Sequence, residues 1–266
     1  MIKSAITVSL VPALRGGPWV LWDDLSTSCR KAANLGFDAV ELFTPGPEAD
    51  GLEQALSEND LELAAVGTGA GKVVHGLTLT DPDSSVRASA IKFIKSMIDF
   101  GAQYKAPAII GSMQGMHSGD RDEALRHLAE GLEILGSHAT LKGVKLIYEP
   151  LNRYETNLFN RLEDGAEFLD GLTTDGVVLL ADLFHMNIEE ANIAEALQSA
   201  ARHVGHVHFA DSNRRPIGNG HLDVAPVAKA LQDIGYDRYV SAEAFDWPNP
   251  DDAALQTISS FRRFFR

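Results

Sequence analysis

Four stretches in the second half of the 266-residue chain end in a carboxylate or an imidazole. Leu146-Ile147-Tyr148 runs into Glu149, Leu179-Leu180-Ala181 into Asp182, His206-Val207 into His208, and Val240-Ser241-Ala242 into Glu243. The residues before these groups are mostly apolar and β-prone, so each polar group stands where a strand gives way to its loop. Glu149, Asp182, His208 and Glu243 make an oxygen- and nitrogen-bearing donor set without sulfur. Such a set suits one divalent metal ion, Mn²⁺ or Mg²⁺ first, with Co²⁺ or Zn²⁺ also accommodated. Taken singly, each residue has a plainer role. A strand-end glutamate commonly caps a helix or meets an arginine, and His206 reads as a packed or hydrogen-bonded histidine one layer below His208. Taken together, three acids on consecutive or nearby strands would repel one another on a half-buried rim unless a cation offset them.

These groups converge only if the strands that carry them are neighbours. Short β-type runs alternate with helix-period segments along the whole chain. Strands are predicted at 5–8, 39–43, 61–66, 108–111, 145–148, 177–181, 204–209 and 239–242. Helices are predicted around 24–35, 48–58, 84–100, 121–140, 163–169, 193–200, 224–234 and 253–264. On the third of these, Ala90, Ile94, Met97 and Gly101 share a face, and on the fourth Leu125, Leu128, Leu132 and Leu135 form the apolar stripe. Eight β-then-α units in this length predict an α/β fold, a single (β/α)8 TIM barrel over residues 1–266. The competing arrangement is an open, doubly wound sheet. Barrel enzymes place their chemistry at the carboxyl ends of the strands, where Glu149, Asp182, His208 and Glu243 lie. Glu41 and His117 are polar exceptions on the otherwise apolar or small-residue ends of the first four strands. The run Gly67-Thr68-Gly69-Ala70-Gly71-Lys72 lacks the spacing of a phosphate loop and reads as a flexible loop over the barrel mouth, without a helix directly after it.

Composition narrows the partners. Lys and Arg number 23 against 37 Asp and Glu, a formal charge of −14. That balance disfavours nucleic acid and anionic membranes and favours a cationic ligand. Cys29 is the only cysteine, which excludes an internal disulfide and a thiolate cluster. No apolar run approaches the ~18 residues of a membrane span, and a cytoplasmic protein is expected.

Three longer motifs carry a family resemblance: Glu149-Pro150-Leu151-Asn152-Arg153-Tyr154-Glu155, Asp182-Leu183-Phe184-His185-Met186-Asn187-Ile188-Glu189-Glu190, and His206-Val207-His208 continuing to Asn213-Arg214. They resemble the xylose-isomerase-like barrel superfamily, and within it the ketose 3-epimerases (D-tagatose and D-psicose 3-epimerases) and the 5-keto-L-gluconate epimerases. The resemblance implies that Glu149, Asp182, His208 and Glu243 bind the metal and that Glu149 and Glu243 form the catalytic acid/base pair. It further implies that His185 and Arg214 hold substrate oxygens near the carbonyl and that Glu155 contacts the terminal hydroxyl region. The expected reaction inverts the carbon beside the ketone of a ketose or keto-sugar acid through an enediolate. Gly67–Gly69, Gly76–Thr80 and Ser212–Arg214 lean toward the 5-keto-L-gluconate subgroup. A sugar or hydroxypyruvate isomerase moving a proton between C1 and C2 is the alternative, and an endonuclease-IV-like phosphodiesterase the remoter one. Relatives of this kind form homodimers or homotetramers. Trp19, Trp22 and Trp247 are candidates for an apolar wall, and His75, His117 and His221 for outlying contacts.

Overall fold

The computed structural model describes residues 1–266. Its eight strands, β1 (Lys3–Ser9), β2 (Ala39–Phe43), β3 (Glu62–Gly67), β4 (Ala108–Ile110), β5 (Leu146–Tyr148), β6 (Val177–Asp182), β7 (Val204–His208) and β8 (Tyr239–Ala242), pair in chain order and close into a barrel. Closure is a parallel pairing of β1 with β8, in which Ser4 meets Val240 and Ile6 meets Ala242. The single (β/α)8 barrel is therefore realised, and the open sheet is not.

Around the barrel lie α1 (Leu25–Leu35), α2 (Leu52–Asn59), α3 (Ala70–His75), α4 (Ser84–Ala102), α5 (Arg121–Leu141), α6 (Leu162–Asp170), α7 (Leu183–Glu189), α8 (Ile193–Ser199), α9 (Val224–Asp233) and α10 (Pro250–Phe265). Two of them, α3 and α7, fall outside the helices expected from periodicity. At six and seven residues they are too short to display a repeat of 3.6. The glycine-rich segment from Gly67 therefore does lead straight into a helix, contrary to the expectation of a loop alone. On α4, Ala90, Ile94, Met97 and Gly101 are all buried as the pattern requires. On α5, Leu128, Leu132 and Leu135 are buried and Leu125 only partly.

Part of the acidic excess has a local cause. Asp24, Asp83, Asp120, Asp182 and Asp223 each accept a backbone N–H at the start of the helix that follows. Asn192 and Asn249 do the same for α8 and α10. A short oxygen-bearing side chain there satisfies amides that have no partner inside the helix.

Strand alternation divides the interior from the sleeve. Ile6, Val8, Val40 and Leu42 point outward into the main apolar core against the helices. Ala65, Ile109, Ile147 and Leu180 point inward and form a small separate cluster in the lumen. Glu149 and Asp182 follow Ile147 and Leu180 by two residues, so they stand one layer above that apolar plug. The lumen is thus apolar directly beneath these carboxylates, while Glu41 and His206 bring polar groups in register with Ala65 and Leu180. No helix is long and apolar enough to cross a membrane.

Candidate metal centre and substrate cleft

Pairing of β5 through β8 brings Glu149, Asp182, His208 and Glu243 together, each buried, with one ligand atom apiece all within 4.8 Å of one another. His208 Nδ1 lies 3.2 Å from Asp182 Oδ2, 3.5 Å from Glu243 Oε2 and 3.7 Å from Glu149 Oε1. Glu149 Oε1 is buried and has no hydrogen-bond partner in the protein. An isolated buried carboxylate oxygen is costly, so an atom left this way and aimed at three other donors fits a cation. Hard oxygen donors with one imidazole fit a divalent ion of the Mn²⁺ or Mg²⁺ type, and the four residues would hold it.

The neighbourhood keeps Glu149 in place. Tyr148 donates its hydroxyl to Gln114 Oε1 at 2.7 Å, and Gln114 Nε2 in turn donates to the Glu149 carbonyl at 2.9 Å. Gly111 makes room for the side chain: a Cβ there would sit 2.5 Å from Glu149 Oε2. Gly67 serves Phe43 similarly, because β2–β3 register sets the two side by side and a Cβ would enter the ring.

Burial pushes the Glu149 carboxyl up to about 8, with nearby His208 opposing the shift and Glu243 and Asp182 adding to it. Asp182 goes the other way. Burial disfavours its charge, but Arg214, His185 and His208 outweigh that and hold it well below the usual carboxylate range. Burial likewise works against a charged His208, yet Glu41 and Glu243 raise it well above an ordinary histidine. His185, by contrast, is lowered by burial.

The three residues expected to bind substrate surround the same space. Arg214 is buried and ion-pairs with Glu243 and, at 3.4 Å, with Asp182. Its guanidinium lies 4.7 Å over the Phe184 ring. The adjacent Arg215 instead covers Trp247, so only the first of the two arginines enters the cleft. Asp182 caps α7, and that turn carries His185 inward. His185 Nδ1 lies 3.2 Å from the Asn152 backbone N–H, and its Nε2 lies 3.7 Å from Glu149 Oε1 and 3.1 Å from Arg214 Nη1, which donates toward it. A guanidinium and an imidazole therefore converge beside the carboxylates. Glu155 is half-exposed at the rim and accepts from Asn152 Nδ2 at 2.9 Å.

A cavity of about 420 Å³ opens over these groups, walled by Trp19, Phe43, Leu151, Phe184 and Phe245. Thr68 and Gly69 line it too, as a loop at the mouth should. Trp22 stands behind Trp19, and neither Trp22, Trp247, His75, His117 nor His221 faces the cavity.

Sequence reasoning left two groups without a role. Glu41 is fully buried and bonds His206 and His208 together. Asp211 is buried and accepts backbone N–H groups from Ser212, Gly218 and Leu222, organising the loop that delivers Arg214. The Glu-Glu pair closing the second motif also acquires a purpose. Glu189 binds Arg153, and Glu190 binds Arg161 and the Leu162 amide, tying the loop after β5 to α7.

The family described as Xylose isomerase-like TIM barrel matches residues 29–264. The chain belongs to this family. Among curated relatives, D-psicose 3-epimerase of Enterocloster bolteae is 32% identical over 233 residues, covering 81% of this chain and 75% of that protein. L-ribulose 3-epimerase of Mesorhizobium japonicum is 30% identical over 253 residues, covering 91% and 82%. Among solved structures, D-allulose 3-epimerase from a Methylomonas species superposes with a TM-score of 0.83 at 24% identity, covering 99% of this chain and 98% of that one. That last likeness speaks to the family barrel alone.

Proposed function

We propose that the protein is a divalent-metal-dependent ketose 3-epimerase, a carbohydrate epimerase that inverts the carbon beside the ketone of a free sugar. The observation that carries this reading is the placement of two glutamates, Glu149 and Glu243, from strands β5 and β8, in one buried cluster with Asp182 and His208. Binding alone would need no such pair. The names of the curated relatives support the same reaction class.

Glu149, Asp182, His208 and Glu243 would hold a divalent ion, which would supply Lewis-acid polarisation of the substrate's carbonyl and so acidify the C–H proton beside it. One glutamate takes that proton and the other returns one to the opposite face, through an enediolate of the sugar. The Arg214 guanidinium donates to an oxygen on which negative charge grows, with the His185 ring lining the cleft beside it. Glu155 at the rim accepts from hydroxyls farther along the chain of the sugar. The aromatic and aliphatic wall excludes water and lies against the sugar's C–H faces.

Cleft electrostatics support a neutral ketose over a keto-sugar acid. Arg214 is the only cationic side chain lining the cleft, and it is already paired with Asp182 and Glu243. With Arg214 serving the oxygens near the carbonyl, a carboxylate at the far end of the substrate would meet Glu155 with no further Lys or Arg lining the cleft.

The test is incubation of Mn²⁺- and Mg²⁺-loaded protein with a panel of neutral ketohexoses, ketopentoses and keto-hexonates in D₂O, followed by NMR. Deuterium entering at C3 of a neutral ketose, with inversion and with loss of exchange on chelation, is expected. Exchange at C1 or C2 alone would make the enzyme an isomerase, and exchange that survives chelation would remove the metal from the reaction.

A further inference from the structure

We propose that Glu41, with His206 behind it, is a positioning residue that fixes the tautomer and orientation of His208. Glu41 is on β2, on the far side of the lumen from β7, and is completely buried. Its Oε2 lies 2.6 Å from His206 Nε2 and its Oε1 3.0 Å from His208 Nε2. An ionised carboxylate only accepts hydrogen bonds, so both imidazoles carry a proton on Nε2. With Nε2 committed in this way, His208 offers Nδ1 to the cluster, where it lies 3.2 Å from Asp182 Oδ2. A histidine free to rotate or to change tautomer would at times present a proton to that space. Glu41 removes this freedom, and His206 supplies the second donor that a buried carboxylate needs.

Glu41, His206 and His208 are also close enough to hold a metal ion themselves. The distances argue for hydrogen bonds instead. Each nitrogen already stands at donor–acceptor separation from the carboxylate, no fourth donor joins the three, and a shared His208 would have to give up both ring protons.

This inference rests on the four-residue cluster being the metal site, and the experiment separates the two. Long-range ¹H–¹⁵N NMR of ring-labelled, Mg²⁺- or Zn²⁺-loaded wild-type protein should show His206 and His208 protonated at Nε2, with His208 Nδ1 unprotonated. Mn²⁺ titration should give one ion per chain. A glutamine at position 41 accepts from one imidazole but presents N–H to the other, so Glu41→Gln should bind Mn²⁺ about 10- to 100-fold more weakly. His206→Gln, which retains a donor, should bind more nearly as wild type than His206→Leu does. A His208 protonated at Nδ1 in the loaded wild type, or a Glu41→Gln protein with unchanged Mn²⁺ affinity, would overturn the assignment. So would two ions per wild-type chain falling to one in Glu41→Gln. A wild type that binds no ion would instead bring down the metal site on which the assignment stands. The wild-type NMR reading needs no variant to fold.

Discussion

Asp182 gives one oxygen to the helix that carries His185 and the other to the metal cluster. Its Oδ1 accepts from the Phe184 and His185 amides at 2.8 and 3.1 Å, while Oδ2 faces His208 Nδ1 at 3.2 Å. A single side chain thus ends β6, starts α7 and completes the ligand set. The two duties separate by substitution. Asp182→Asn keeps a capping oxygen and loses the charge, so Mn²⁺ affinity should collapse while α7 persists. Asp182→Ala loses the cap as well and should be less stable than the asparagine variant by about 1 kcal/mol in the ion-free protein. Equal denaturation midpoints for the two variants would show that the cap contributes nothing.

Ion binding should depend on pH with a defined sign. Glu149, near 8, and His208, held well above its ordinary value, are both protonated in the ion-free protein at slightly acid pH. An ion must displace those protons, so apparent affinity should rise with pH by about tenfold per unit for each proton released. The dependence on Glu149 should level off above 8. The same shift acts on the fold without ion. Because the folded state keeps the Glu149 proton to higher pH than an unfolded carboxyl does, its contribution to stability is present below the ordinary glutamate range. It is lost as pH rises toward 8. Calorimetric Mn²⁺ titration in buffers of different ionisation enthalpy measures the proton count directly. Zero protons released at pH 6.5 would contradict the arrangement.

Glu149 and Glu243 should fail as a unit. Replacing either with glutamine preserves shape but removes the group that takes or returns the proton, and isotope exchange at saturating ion should fall about 10²- to 10⁴-fold. Inversion needs both members, so the double variant should be little worse for inversion than the poorer single one. Losses that simply multiply would indicate independent roles. Single-turnover exchange, measured at ion concentrations that saturate each variant, distinguishes lost chemistry from lost binding.

What the sequence could show followed from local pattern plus one geometric rule. Alternating strand and helix segments implied the barrel, and the barrel implied that Glu149, Asp182, His208 and Glu243 share a rim. Glu41 was visible as a polar residue in an apolar strand, yet its partner His206 lies 165 residues away and meets it only after closure. No spacing rule reaches across a lumen. Short α3 and α7 escaped because helices of six and seven residues do not complete two turns. The Glu189–Glu190 pair belonged to a recognisable motif, but its partners Arg153 and Arg161 sit in another loop, so its clamping role needed coordinates.

Asp211 supplies the last prediction, because the position of Arg214 depends on it. Arg214 adopts a left-handed backbone, φ 59°, which a non-glycine residue holds only where its surroundings impose it. The imposition comes from the Asp211 carboxylate, whose oxygens take the amides of Ser212, Gly218 and Leu222, and from the Asp211 carbonyl, which accepts the Arg214 N–H at 2.8 Å. Gly220 runs so close to the carboxylate that a Cβ there would collide with it. Asp211→Ala leaves three part-buried amides without their acceptor and should cost about 1 kcal/mol in folding stability. The sharper consequence is functional. Released from that backbone, the guanidinium no longer holds its place between Phe184, Asp182 and Glu243, so KM for the sugar should rise while Mn²⁺ affinity changes little. Asp211→Asn, which keeps accepting oxygen but loses one acceptor, should fall between. An Asp211→Ala protein that folds and retains wild-type KM would mean that Arg214 is positioned by its ion pairs alone.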